Sequence, residues 1–395
     1  MKKTPIFLLA FMLFGMLSQA QISFNDTTKA YTMPLLTQTP RGEVILSWTE
    51  KDQQGMNSLC MALSKDNGKT FADKKIITSG YGIGNSRLMR AKILAKKDGS
   101  YMAFFMNNPN ATAPTAGNGG RAGGGRGGEI TFCESKDGNT WTNPQAVDTD
   151  PTKSLLRGFS DAVIMANGEI AVAYLKDVKG STKHEERDLR ISITKNGVFE
   201  PEKLIDAVVC DCCNVSLLVD NKGVLNVYYR DNNNDIRDIA KMTSADNGQT
   251  FSKSEILYKD NWQINGCPHS GASSVAFGNT NLITWFSGSE TEKGLRLVNQ
   301  EGKKLALIND PTAKNTSVAA DAKNAVFLWE QTNPANNTAQ IAYQVINKGV
   351  SETKWVNDIN SINVTALIAD NQCLVAYEVK QVNKRNSIKI GNIGL

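Results

Sequence analysis

PLLTQTPRGEVILSW, Pro34 to Trp48, reads as two short apolar runs parted by a Pro-Arg-Gly turn, with an aromatic closing the second run. The same pattern returns six times. AKILAKKDGSYMAFF ends at Phe105, DAVIMANGEIAVAY at Tyr174, SLLVDNKGVLNVYY at Tyr229 and SSVAFGNTNLITW at Trp285. TSVAADAKNAVFLW ends at Trp329 and TALIADNQCLVAY at Tyr377. Each is a β-hairpin signature, and its closing aromatic lies about 44 to 69 positions from the previous one. Such a unit has room for four short strands. A lone four-stranded sheet cannot bury both faces, but sheets packed radially do so and leave only short edges. No stretch carries a sustained helical period, and a two-domain sandwich would not repeat evenly along the chain. The expectation is an all-β propeller of four-stranded blades. Seven blades are favoured; six would fit if the first or last hairpin completes another blade.

A second repeat sits downstream of three of these hairpins. Ser64-Lys65-Asp66-Asn67-Gly68-Lys69-Thr70-Phe71 and Ser244-Ala245-Asp246-Asn247-Gly248-Gln249-Thr250-Phe251 share the pattern S-x-D-x-G-x-T-F. Ser135-Lys136-Asp137-Gly138-Asn139-Thr140-Trp141 is a copy one residue shorter. Ser and Asp side chains bond nearby backbone, Gly supplies a positive φ, and the aromatic packs into the blade. The expected place is the turn between a blade's third and fourth strands.

These are Asp-box (BNR) repeats, and the chain resembles the sialidase superfamily of β-propellers over nearly all of its length past the leader. The resemblance implies structural, peripheral Asp boxes. It also implies three arginines on a substrate carboxylate, a Tyr nucleophile activated by Glu, and an Asp acid. The first of those arginines belongs to an Arg-Ile-Pro motif opening the first blade. Here that place reads Tyr31-Thr32-Met33-Pro34, so the guanidinium is replaced by Thr32. One of three carboxylate ligands is thereby missing.

Charge and compartment narrow the partners. The 395 residues carry 44 basic and 39 acidic side chains, a net charge of +5, too small a surplus for a dedicated nucleic-acid binder. Lys2 and Lys3, the apolar run from Ile6 to Leu17 and the small-x-small Ser18-Gln19-Ala20 read as a signal peptide. Residues 21–395 are then one exported propeller domain, periplasmic or secreted, with no membrane span.

Arg87, Arg90, Arg157, Arg230 and Arg237 fall at blade positions expected to share one face around the axial opening. They point to an anionic ligand, such as a uronate, sulfate, phosphate or acidic sugar. Asp161, Glu185 and Asp211 are the acid–base candidates. The most unusual segment, Cys210-Asp211-Cys212-Cys213, opens the fourth blade, and Cys267-Pro268-His269 opens the fifth at a near-equivalent position. Three readings stand for this cluster: a disulfide staple, a copper or zinc site, or a redox-active thiol pair. A CDCC followed by GCP resembles an uncharacterised branch of sialidase-like proteins. Cys60, Cys133 and Cys373 read as buried thiols. The Gly-rich residues 117–128 lack the Gly-Lys-Ser/Thr of a phosphate loop and read as a loop over the channel mouth. Two functions compete: a hydrolase or lyase acting on an acidic sugar, and a non-catalytic propeller that binds metal or an extracellular partner through its cysteines.

Overall fold

The computed structural model describes residues 22–114, 128–150, 155–181, 187–381 and 385–395. It is a seven-bladed β-propeller whose sheets follow one another in chain order. Each innermost strand is the first of its hairpin: Ala30–Gln38, Lys92–Ala95, Arg157–Ile164, Ser216–Val219, Ser273–Phe277, Lys314–Ala320 and Ser361–Ala369. Blades 1, 2, 4, 5 and 6 are antiparallel four-stranded meanders. Two blades depart from the repeat. In blade 3 the strand Arg187–Lys195 pairs with both Val198–Phe199 and Lys203–Val209, and blade 7 has three strands. Among the described residues no helix is long and apolar enough to cross a membrane.

The aromatic that closes each hairpin has a common job. The seven apolar clusters correspond to the seven seams between neighbouring blades, and each contains one of the seven aromatics. Trp48 lies between blades 7 and 1, Phe105 between 1 and 2, and Tyr174 between 2 and 3. Tyr229, Trp285, Trp329 and Tyr377 key the remaining four seams. Large flat rings bury much apolar area there while their polar edges find partners. Trp285 Nε1 donates to Asp260 at 2.7 Å, Tyr174 OH to Glu202 at 2.6 Å and Tyr377 OH to Asp358 at 2.6 Å.

The Asp boxes sit between third and fourth strands, as expected. In the first, Gly68 N donates to Ser64 Oγ at 2.8 Å and Thr70 N to Asp66 Oδ1 at 2.8 Å. The box at Ser244 repeats these bonds at 2.8 and 2.9 Å. Asn67 and Gly68 both adopt positive φ, 58° and 83°, which an Asn-Gly pair tolerates.

The ring is closed without a shared sheet. Blades 1 and 7 are separate sheets, joined by side chains. Phe24, ahead of the first strand, packs against Tyr31 and Trp48 and joins the apolar cluster that includes Leu374 and Ile388 of blade 7. Met33 N donates to Glu378 Oε1 at 2.8 Å, and Leu36 N to Thr365 Oγ1 at 3.3 Å.

Candidate functional site

The innermost strands and their approaches surround an axial cavity of about 330 Å³, lined by residues of all seven blades. That volume is at the low end for small-molecule sites. Its cations are Arg87, Arg90 and Lys92. A one-turn 3-10 helix, Arg87–Met89, carries the two arginines; Ser86 caps it by accepting from Leu88 N. Arg87 Nη2 donates to the His269 carbonyl at 2.9 Å, and Arg90 Nη1 to the Val364 carbonyl at 3.2 Å. Arg90 Nε is buried and has no protein partner. Burial pushes the Arg90 guanidinium below its ordinary range, and the charges of Glu378 and Glu330 oppose this.

The expected arginine ring is corrected by the structure. Arg157, Arg230 and Arg237 are only 2%, 1% and 0% exposed, so they do not present guanidinium groups to a ligand. Arg157 is ion-paired with Asp148, and its neighbour Lys176 sits 2.8, 2.8 and 2.7 Å from Asp148, Asp150 and Glu202. Those three carboxylates are close enough to hold a metal, yet the Lys176 ammonium already occupies the space between them. Arg230 donates to the carbonyls of Ser270, Arg237 and Phe286 and stacks 5.0 Å over Trp262. It ties blade 4 to blade 5. The sequence marks these residues as cations at strand ends; it does not show which carbonyls and carboxylates meet them there.

The acid–base candidates divide similarly. Asp161 lines the cavity, but Oδ1 accepts from Lys92 Nζ at 2.7 Å and Ala162 N at 2.8 Å, and Oδ2 from Leu217 N at 2.8 Å. It joins blades 2, 3 and 4, with both oxygens engaged by protein donors. Asp211 is buried and receives the Cys267 thiol at 3.6 Å, away from the cavity lining. Glu185, the leader and residues 117–127 of the Gly-rich stretch lie outside the described residues. Thr32, where the sialidase pattern has Arg, is buried and donates to Asn85 Oδ1 at 2.7 Å. Two carboxylates that the hairpin pattern did not single out lie close by. Glu378 accepts from Met33 N and Asn363 Nδ2, and Glu330 from Asn363 N and Asn315 Nδ2, each at 2.8 Å. Both stand directly after a repeat aromatic, which is the one sequence cue for them.

The two cysteine segments meet at the lip of this cavity. All seven cysteines are free thiols. The ligand atoms of Cys210, Cys212 and Cys213 lie within 4.8 Å of one another, and so do those of Cys212, Cys267 and His269. Cys212 belongs to both sets. Cys210 Sγ is 3.4 Å from Cys213 Sγ and 4.0 Å from Cys212 Sγ. The first three sulfurs are buried, while Cys267 and His269 are exposed. Thiol donation from Cys212 and Cys213, aided by the Arg230 charge, holds Cys210 below the ordinary thiol range. Burial pushes the Cys213 thiol up, and donation to Cys210 pushes Cys212 up.

Gly271 makes the meeting possible. A Cβ there would fall 2.1 Å from the Asn214 carbonyl oxygen, so only a glycine lets the blade 5 approach run this close to blade 4. Asn214 then clamps it, accepting from Gly271 N at 3.2 Å and donating to the Ala272 carbonyl at 3.0 Å.

A family profile described as the BNR repeat-like domain matches residues 116–341. No curated protein matches the sequence. Among solved structures, a protein of unknown function from Dyadobacter fermentans is 14% identical, with 95% of this chain and 97% of that one covered and a TM-score of 0.54. An ulvan lyase is 13% identical over 93% of this chain and 94% of its own, with a TM-score of 0.56. A Hadza microbial sialidase is 16% identical over 92% of this chain and 66% of its own, with a TM-score of 0.50. At these identities the likeness is one of fold.

Proposed function

The chain belongs to the BNR repeat-like domain family, and from that premise we propose that it is an exported, sialidase-like propeller that takes an acidic carbohydrate into its axial cavity. The carrying observation is the pair Arg87 and Arg90 on the cavity wall, one of them with a buried Nε free of any protein acceptor. A guanidinium with a spare, desolvated N–H is the group that a carboxylate or sulfate matches best. The fold is shared with an ulvan lyase whose structure holds a -[GlcA(1-4)Rha3S]- saccharide and with a sialidase, which supports a sugar acid as the ligand class. Fold alone does not fix chemistry. The ligand contacts assigned here are therefore Arg87, Arg90 and Lys92, with Asp161 holding Lys92 in position.

The test is a panel of uronate, sulfated and sialic oligosaccharides, each with its neutral counterpart, read by calorimetry and by product analysis. An acidic member should bind where its neutral counterpart does not, and Arg90→Ala should weaken binding at least tenfold. If no acidic member binds better than its neutral counterpart, the reading is wrong. Product analysis separates the enzymatic forms: a lyase leaves an unsaturated uronate, a hydrolase a new reducing end. Export is tested by sequencing the secreted protein, which should begin at Gln21.

A further inference from the structure

We infer that the cysteine–histidine cluster at the cavity lip is a binding site for one thiophilic d10 metal ion, Cu(I) or Zn(II), held by Cys212, Cys267 and His269 with Cys210 or Cys213 behind them. The inference stands apart from the sugar reading, since no ligand to the metal lies among Arg87, Arg90 and Lys92.

Four observations carry it. The first is the spacing. A tetrahedral ion with metal–sulfur bonds of about 2.3 Å separates its sulfurs by about 3.8 Å. The Cys210–Cys212 distance of 4.0 Å is close to that value. In the second set, one ligand atom each of Cys212, Cys267 and His269 lies within 4.8 Å of the others.

The second is the histidine. His269 Nδ1 lies 3.0 Å from the Cys267 carbonyl, which can only accept. In the neutral ring this bond puts the proton on Nδ1 and leaves the Nε2 lone pair for a metal. A backbone carbonyl fixing the tautomer in this way is the usual outer support of a metal-bound imidazole. The third is the framework. His269 has a positive φ of 50°, its carbonyl is held by Arg87, and Gly271 beside it permits the close contact with blade 4. The loop is thus fixed in a shape that sets two exposed donors over three buried ones.

The fourth is charge. Several thiolates around one ion leave excess negative charge, which in a buried site needs compensation. The buried Arg237 guanidinium bonds the Cys210 thiol, and the charge of the buried Arg230 also acts on that sulfur. Soft sulfur donors with one imidazole select Cu(I) or Zn(II) over hard cations.

The experiment uses the whole mature protein, fully reduced and kept anaerobic. It is titrated with Zn(II) alone, then with Cu(I) alone, each in competition with a chromophoric chelator. One equivalent should be retained after desalting, and X-ray absorption should show metal–sulfur distances of about 2.3 Å with a nitrogen at about 2.0 Å. Cys267→Ser and His269→Ala alter exposed residues and should fold, and each should lower affinity at least tenfold. Cys373→Ser, in the blade 6–7 seam, should leave it unchanged. Retention of less than a tenth of an equivalent of either ion by the reduced protein overturns the site. So does undiminished affinity in both loop variants.

Discussion

Arg90 is one side chain asked to do two things: stay charged while buried, and leave a donor unused. Its Nη1 anchors to Val364 and its Nε waits in the cavity wall. Arg90→Lys should therefore keep part of the affinity for an acidic sugar that Arg90→Ala loses, because charge survives and the fork does not. A calorimetric comparison of the two variants checks this. Ser64 is a second residue with a defined cost. It is buried, and its Oγ accepts from Gly68 N at 2.8 Å. Ser64→Ala should cost about 0.5–1.5 kcal/mol in urea unfolding, the usual worth of a hydrogen bond to a half-buried N–H. Residue identity was legible at both sites in different degrees. The Ser of an Asp box announces its bond through a fixed local spacing. The arginines do not, because a cation at a strand end is equally suited to solvent, a ligand or a neighbouring carbonyl. Arg157 and Arg230 went to Asp148 and to the Ser270 carbonyl, partners that only the blade packing brings near.

At the level of elements, the Asp-box turn links acidity to stability. Bonds from Thr70, first its hydroxyl and then its N–H, lower the Asp66 carboxyl to about 2 from an ordinary 3.8. The stabilisation is fully present above the unfolded value and is lost as pH falls towards 2. Asp66→Asn should flatten stability against pH between about 4 and 2, which unfolding at several acid pH values would detect. The other element with a sharp consequence is the Gly271 turn. Gly271→Ala should push residues 267–270 off blade 4 and weaken metal retention about as strongly as removing His269. Unaltered retention would show that the close approach is dispensable. Hairpins were legible because a period of two and a turn are local. The proximity of the two cysteine segments could be argued only from equivalent blade positions, and the glycine that permits it carries no signal of its own.

The molecule as a whole repeats one joint seven times, and the repeat was the most readable feature of the sequence. Each hairpin aromatic keys one seam, so blade count and aromatic count agree. What the repeat could not show is where it breaks: blade 7, with three strands among the described residues, and the extra pairing in blade 3. Like every seam, the blade 7–1 seam has no ladder across it, but here no chain link backs up the apolar packing and the few side-chain bonds. Phe24→Ala should cost about 3–5 kcal/mol. It should also speed amide exchange in blade 7 far more than in blade 4, as mass spectrometry would resolve. A uniform change around the ring would contradict the special status of that seam.

The same join governs how the protein meets a mechanical load. Tension applied between Ile22 and Leu395 acts on the one boundary that no chain link crosses. The ring should therefore spring open there at low force, before any sheet is sheared. Blades would then peel away singly, each releasing about 50 residues, roughly 170 Å of slack, in a sawtooth whose first tooth is the smallest.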